Sequence, residues 1–308
     1  MAIKIDTLKR APVTVQEYIA FLESSHIIEQ FRKSIYDREV MCLAASWLRS
    51  LAENKTHLLA IIADELASST EFQARNFGQS QSFVIHRTAD YTIRIMLWIP
   101  DGHQAKAIPF SYENAHDHAF DLMSTGFFGP GYRTSLFTFD YDDPVHRVDG
   151  LTRLAYHGDT HLREGEVIYY FANRDVHVQH LPESLSASLN LIVVKPDASV
   201  RQTVFDLDGP PDNGIAWGKP RYNSARKLRT QRSIFAALAA HGNARSRDAL
   251  TRIARSHELE EVRALAWIAL LNGLNPNPAW FGEIATEKSS YIKKVVAERV
   301  SIATENRA

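Results

Sequence analysis

The sequence predicts an α+β fold, a jelly-roll β-barrel flanked by N-terminal and C-terminal helical regions. Three observations carry that expectation. Apolar residues recur at helical spacing from Thr14 to about Ser69, short β-branched and aromatic runs separated by turn residues fill Ser82 to Val194, and helical spacing returns beyond Gln231. The boundaries that follow are 1–80 for the N-terminal helical region, 81–200 for the barrel, 201–230 for a linker and 231–308 for a C-terminal helical domain.

In the N-terminal region Thr14-Val15-Gln16-Glu17 has the capping-box pattern, in which the threonine and the glutamate each satisfy a free backbone N–H of the helix start. Tyr18, Phe21 and Leu22 follow at helical spacing. Glu39–Leu51 sets Val40, Leu43, Ala44, Trp47 and Leu51 on one stripe, and His57–Leu66 is apolar without Gly or Pro to break it. His57 reads as a helix-surface residue rather than a ligand.

Eight strands are expected in the barrel: Ser82–Arg87, Tyr91–Ile99, Ala115–Met123, Tyr132–Tyr141, Leu151–His157, Glu166–Asn173, His177–Leu181 and Ser186–Lys195. Turn residues separate them, among them Asp101-Gly102, Gly129-Pro130-Gly131, Asp142-Asp143-Pro144, Asp149-Gly150 and Glu164-Gly165. A small barrel of this kind can enclose one ligand or metal. From Gln202 to Lys227 the chain is rich in Pro, Gly and Asp around Gly209-Pro210-Pro211-Asp212-Asn213-Gly214, and reads as a surface linker. Beyond it, Gln231–Ala240, Ser246–Ser256, Leu259–Leu271 and Trp280 to about Thr304 give four amphipathic segments. Arg252–Leu271 has the look of stacked helix pairs, but two units are too few for an array.

Composition narrows the functional classes. A chain of 308 residues, 45% hydrophobic, can bury a sizeable core. With 35 basic and 36 acidic residues it has no global field to attract nucleic acid or a membrane surface. Its one cysteine, Cys42, excludes an internal disulfide and fits a reducing compartment. The N-terminus lacks the apolar region of a signal peptide, and no apolar run approaches the roughly 18–20 residues of a membrane span, so a cytoplasmic location is expected.

The chemistry centres on His116-Asp117-His118. Side chains at i and i+2 of a strand share a face, so both imidazoles reach inward while Asp117 points away, and His177 on a later strand supplies a third ligand. Neutral imidazole suits iron, copper, nickel or zinc, and three protein ligands leave positions open for water, substrate or dioxygen. His180 falls on the opposite face of His177's strand, His157 and His161 flank a turn, His86 adjoins Arg87, and Asp121 has the parity of an outward residue.

Ala115-His116-Asp117-His118, Gly131 with Leu136-Phe137, Leu162-Arg163-Glu164, His177 and Ser188-Leu189-Asn190-Leu191 together resemble the cupin superfamily and, within it, cysteine dioxygenase, over about Phe83 to Val194. The resemblance implies one ferrous iron, Fe(II), held by His116, His118 and His177, with substrate and dioxygen at its open positions. Many cupins carry a glutamate where Leu122 and Met123 stand here, which favours the three-histidine type. Met123 matches the family's cross-linked cysteine, and Ser188, Asn190 and Ile192 match its Ser-His-Tyr row, so the phenol and imidazole of that row are missing. Arg87 matches the arginine that binds the substrate carboxylate, a task suited to a bidentate guanidinium. Tyr169, Tyr170, Tyr156, Phe171 and Trp98 shape the pocket or simply fill the core, and Tyr169 is taken as the hydrogen-bonding catalytic residue. The expected function is a non-haem iron dioxygenase acting on a small carboxylate-bearing thiol or amino acid. The alternatives are a non-oxidative metal-dependent cupin, a lyase or isomerase, or a metabolite-binding regulator. The expected partners are a small-molecule substrate and dioxygen, with neither nucleic acid nor a membrane, and a homodimer is an open expectation.

Overall fold

The computed structural model describes residues 1–68, 73, 81–100, 112–142, 151–196, 202–221, 226–241, 243–273 and 276–305. It divides into two compact units, Met1–Arg221 and Tyr222–Ala308. The first unit opens with β1 (Ile3–Lys4), then α1 (Val15–Ser24), α2 (Ile27–Arg32), α3 (Arg38–Glu53) and α4 (Lys55–Ser68). Its sheets are built from β2 (Ser82–Arg87), β3 (Tyr91–Trp98), β4 (Ala115–His116), β5 (Phe120–Phe128), β6 (Tyr132–Thr138), β7 (Thr152–Leu162), β8 (Val167–Tyr170), β9 (Asp175–Gln179), β10 (Ser186–Val194), β11 (Val204–Leu207) and β12 (Ile215–Arg221). One sheet runs β1-β8-β5-β10-β3-β2; the other, β11-β12-β7-β6-β9-β4, closes into a ring because β4 pairs back onto β11. All named pairings are antiparallel, so each strand presents alternate side chains to two different environments.

Three apolar cores follow from that alternation. On one face of the first sheet, Ile93, Ile95, Met123, Val167, Tyr169, Leu189 and Leu191 pack with Tyr18, Leu22, Phe31, Leu48 and Leu51 of the helices. On its other face, Met96, Trp98, Leu122, Ile168, Tyr170 and Ile192 meet Tyr132, Leu136 and Leu162 of the second sheet. A third core of Ala115, Phe137, Leu154, Val176, Val178, Phe205 and Ala216 fills the closed ring. The helices start as the sequence reads: Thr14 Oγ1 accepts from the Glu17 N–H while the Glu17 carboxylate accepts from Thr14 N–H, and Asp37 caps α3 through the N–H groups of Glu39 and Val40. Half-buried His57 does more than sit on a helix surface, since its Nε2 accepts from the backbone N–H of Val15 at the start of α1.

A buried ion pair ties the helices to the sheet. Lys195 Nζ lies 2.6 Å from the fully buried Asp121 carboxylate and 2.8 Å from the Tyr36 hydroxyl, and Asp121 also accepts from the Ala172 N–H at 2.8 Å. The several hydrogen bonds offset the desolvation of two charges. Asp121 thus serves the helix-facing core, as its parity implied.

Three expectations need correction, and two short elements had not been expected. The supposed linker 201–230 contains β11 and β12, and the Pro/Gly/Asp run between them is their hairpin connection. Asn213 and Gly214 both have positive φ, and Asp212 and Ile215 exchange backbone hydrogen bonds across them, the tight turn that an Asn-Gly pair favours. Ala115–Met123 is not one strand: Asp117 leaves the ladder to bond the Thr203 N–H through its side chain, and pairing resumes only at Phe120. Short β1 and the six-residue α2 lack enough periodic positions to register in the sequence pattern. In the second unit, α5 (Arg226–His241), α6 (Ala244–Ser256) and α7 (Glu260–Asn272) fall where expected, but the last segment is two helices, α8 (Ala279–Ala285) and α9 (Ser290–Glu305), parted at Thr286. α7 lies against α5, α6 and α9, which is why Val262, Ala266, Trp267, Leu270 and Leu271 are all buried. None of the described helices is long and apolar enough to cross a membrane.

Candidate metal centre

His116, His118 and His177 come together between the two sheets, and one ligand nitrogen from each lies within 4.8 Å of the others. His116 and His177 sit opposite each other in the β4–β9 pairing, which sets their Nε2 atoms 3.1 Å apart. Two imidazole nitrogens sharing one metal at about 2.1 Å each stand roughly 3 Å apart, so this spacing suits a common ion. His118 lies just beyond β4 and is held by stacking on Phe120, with ring centroids 4.5 Å apart at 20°. The histidines face the space between the sheets rather than the interior of the closed ring, whose core takes their neighbours Ala115, Val176 and Val178.

The electrostatics favour metal ligation. Burial drives the His116 pKa down to about 4, although the hydrogen bond from its Nδ1 to the Asn114 carbonyl pulls the other way. His118 and His177 are held well below the usual imidazole value by burial first and by their fellow histidines second, with Arg94 adding to the effect on His118. Neutral imidazoles keep a lone pair for a metal. The Asn114 carbonyl fixes the proton of His116 on Nδ1 and so frees Nε2, the kind of outer hydrogen bond that orients metal ligands. Nδ1 of His177 is buried and has no hydrogen-bond partner among the described residues. Asp117, buried beside the site but bonded to Thr203, is raised to about 8 by burial.

The chamber wall combines Arg94, Met96 and Trp98 of β3, Leu122 and Ser124 of β5, Tyr132 of β6, Gln179 of β9 and Asn190 of β10 around a free volume of about 20 Å³. Trp98 Nε1–H donates to Ser188 Oγ at 3.0 Å and Ser124 donates to Asn190 Oδ1 at 2.7 Å. Burial lowers Arg94 to about 10, with Arg87 adding repulsion. Burial also pushes Tyr132 up to about 12, against the stabilising hydroxyls of Ser124 and Ser188 and the amide of Gln179.

Two expected site residues lie elsewhere. Tyr169 faces the helices, edge-on to Phe31 and Tyr36, whereas its neighbour Tyr170 stands with its ring 4.5 Å from that of His177. Arg87 is exposed at the end of the edge strand β2, and the arginine in the chamber is Arg94. Met123 belongs to the helix-facing core, which leaves Leu122 on the chamber side where a carboxylate ligand would stand. Three of the competing histidines are engaged apart from the cluster: His157 with Thr138, His161 with the Pro130 carbonyl and His180 with Ser135 and Glu113. A signal for Arg94 was present, since it is the charged residue of Tyr91–Trp98 and shares parity with Met96 and Trp98. Tyr132 and Gln179 were missed although Gln179 lies two residues from His177 on the same strand.

No protein-family model matches the sequence, and no curated protein matches it. Among solved structures the chain is similar to one from crystal structures of DMSP lyases (13% identity, 36% of this chain and 46% of that one, TM-score 0.23). It is also similar to the vicilin of Solanum melongena (11%, 44% and 34%, 0.25) and to a sugar phosphate isomerase from a cupin superfamily of Silicibacter pomeroyi (11%, 42% and 68%, 0.23). The chain spans less than half the length of the first two. At these identities and scores the likeness adds nothing about activity to what the strands and side chains of this molecule already display.

Proposed function

We propose that this chain is a metal-dependent enzyme that oxidises a small carboxylate-bearing molecule, an amino acid or a thiol, with dioxygen. The observation that carries the reading is the convergence of three buried, neutral histidines beside one arginine in the same chamber. Iron(II) held by His116, His118 and His177 would supply redox chemistry with dioxygen. The chain's own residues do the rest. Arg94 offers a fixed, partly desolvated cation for the substrate carboxylate, where an ion pair is stronger than in water. Tyr132, protonated at neutral pH, presents a hydrogen-bond donor among Ser124, Ser188 and Gln179. That phenol comes from β6 rather than from the strand that carries Ser188 and Asn190. The small free volume admits about one water-sized group, so the chamber excludes bulk water and selects compact substrates that shift its lining on entry.

The same phenol favours a second reading, a non-oxidative lyase or isomerase in which Tyr132 gives and takes a proton. Metal content and oxygen uptake separate the two. Protein purified anaerobically and loaded with iron should hold about one equivalent and consume oxygen with one class of small thiols or amino acids. Another bound metal, or turnover without oxygen uptake, moves the function to the second reading, and no metal after loading ends both.

A further inference from the structure

The strands that face the histidine chamber on one side carry a second polar cluster on the other. Arg133, Ser135 and Phe137 alternate with Tyr132, Thr134 and Leu136 along β6, and Ser135 borders a cavity of about 430 Å³ floored by Ala115, Phe137, Val178 and Phe205. That size, with a wall that is as polar as it is apolar, suits a small organic molecule that carries a polar group. Ser135 Oγ stands 2.8 Å from Nε2 of His180, and Nδ1 of His180 stands 3.0 and 3.1 Å from the two carboxylate oxygens of Glu113. A carboxylate at Nδ1 keeps the imidazole proton there and turns the Nε2 lone pair to the serine hydroxyl. Ser135 Oγ donates to Asp159 Oδ1 at 2.6 Å, an oxygen that also accepts from the Tyr156 hydroxyl at 2.9 Å, so the serine proton has to swing from Asp159 to His180 before attack. The β6–β7 register breaks between Ser135 and Phe137, where β7 carries one extra residue between Tyr156 and Asp159.

We propose that Ser135, His180 and Glu113 form a second, metal-independent active site that hydrolyses small neutral carboxylic esters with an apolar acyl group. Ser135 Oγ attacks the carbonyl carbon while His180 Nε2 takes the hydroxyl proton. The acyl–alkoxy bond then breaks, and the alcohol leaves with that proton. Water attacks the acyl-serine, gives a proton to His180, and the acid departs as Ser135 recovers it. Glu113 is a positioning residue that acts through His180. The pairing of Arg133 with Asp159 and of His180 with Glu113 suits a neutral substrate.

The test is labelling of the parent protein with a fluorophosphonate probe, read by mass spectrometry of the Ser135 peptide, together with hydrolysis of p-nitrophenyl butyrate. Ser135 should be labelled, and kcat/KM should fall about 100-fold or more in Ser135→Ala and His180→Ala. Glu113→Gln should lower kcat about tenfold or more at unchanged KM, with partial recovery in Glu113→Asp. An unlabelled Ser135 in folded parent protein, or hydrolysis that survives in Ser135→Ala, overturns the proposal; the parent's label decides it even if a variant does not fold.

Discussion

The two faces of the first sheet are made by the same strands and have opposite chemistry. Toward the helices, β3, β5, β8 and β10 present Ile93, Ile95, Met123, Val167, Tyr169, Leu189 and Leu191, and that side holds the buried Asp121–Lys195 pair. Toward the second sheet the same strands present Arg94, Ser124, Tyr170 and Asn190 around three neutral imidazoles. The difference teaches that one step along a strand separates a packing residue from a site residue.

The largest expected effect breaks the chamber side. His116→Ala or His177→Ala should abolish tight metal binding, measured as metal per chain after loading, because two imidazoles cannot replace three. On the helix side, Lys195→Met should destabilise the fold by about 3–5 kcal/mol in urea titration, since it strands the Asp121 charge in the core. A loss below about 1 kcal/mol would show that Tyr36 and the Ala172 N–H suffice to hold the carboxylate.

Acid should also separate the faces. A histidine whose folded pKa lies below its unfolded value of about 6.5 binds fewer protons folded than unfolded, so stability is full above 6.5 and is lost as pH falls toward 4. For His116 the drop to about 4 corresponds to about 3 kcal/mol; Asp117, raised to about 8, has the opposite sign over the same window, so the histidine slope is to be read in Asp117→Asn by urea titrations of chelator-treated protein between pH 7.5 and 4.5. His118 and His177 shift in the same direction and deepen the slope. Removing the imidazole in His118→Leu should flatten it.

The smallest effects sharpen the assignment of the arginine. Arg94→Gln should weaken binding of a carboxylate-bearing ligand about tenfold to a hundredfold in calorimetry, the range of a hydrogen bond to a charged group. Arg87→Gln, on the exposed end of β2, should change stability and affinity by less than about 0.5 kcal/mol. A larger loss at Arg87 than at Arg94 would return the carboxylate to the outer strand.

Much of this was legible before the fold. The capping box at Thr14, the limits of β2 and the shared face of His116 and His118 follow from local spacing, and local spacing is what a sequence displays. Tyr169 and Arg87 were misplaced because choosing between neighbours needs the register of a strand against its partners, which is fixed by pairings as distant as β5 with β8. The β11–β12 hairpin was hidden because its turn residues resemble those of a linker; only the pairing of Val204 with His116 reveals that this segment closes the ring. The serine cluster escaped notice because Glu113, Ser135 and His180 sit on three separate segments with no shared motif.

β9 has a consequence for how the gene can drift. His177 and Gln179 look into one chamber while Val178 looks into the other, with His180 continuing on Val178's side. A single-codon deletion or insertion in the short turn from Phe171 to Arg174 would exchange these sets, sending valines among the imidazoles and His177 into the apolar ring. Length changes of two residues would preserve both sets. The reading frame of side chains, as much as their identity, is therefore what selection has to guard along this strand.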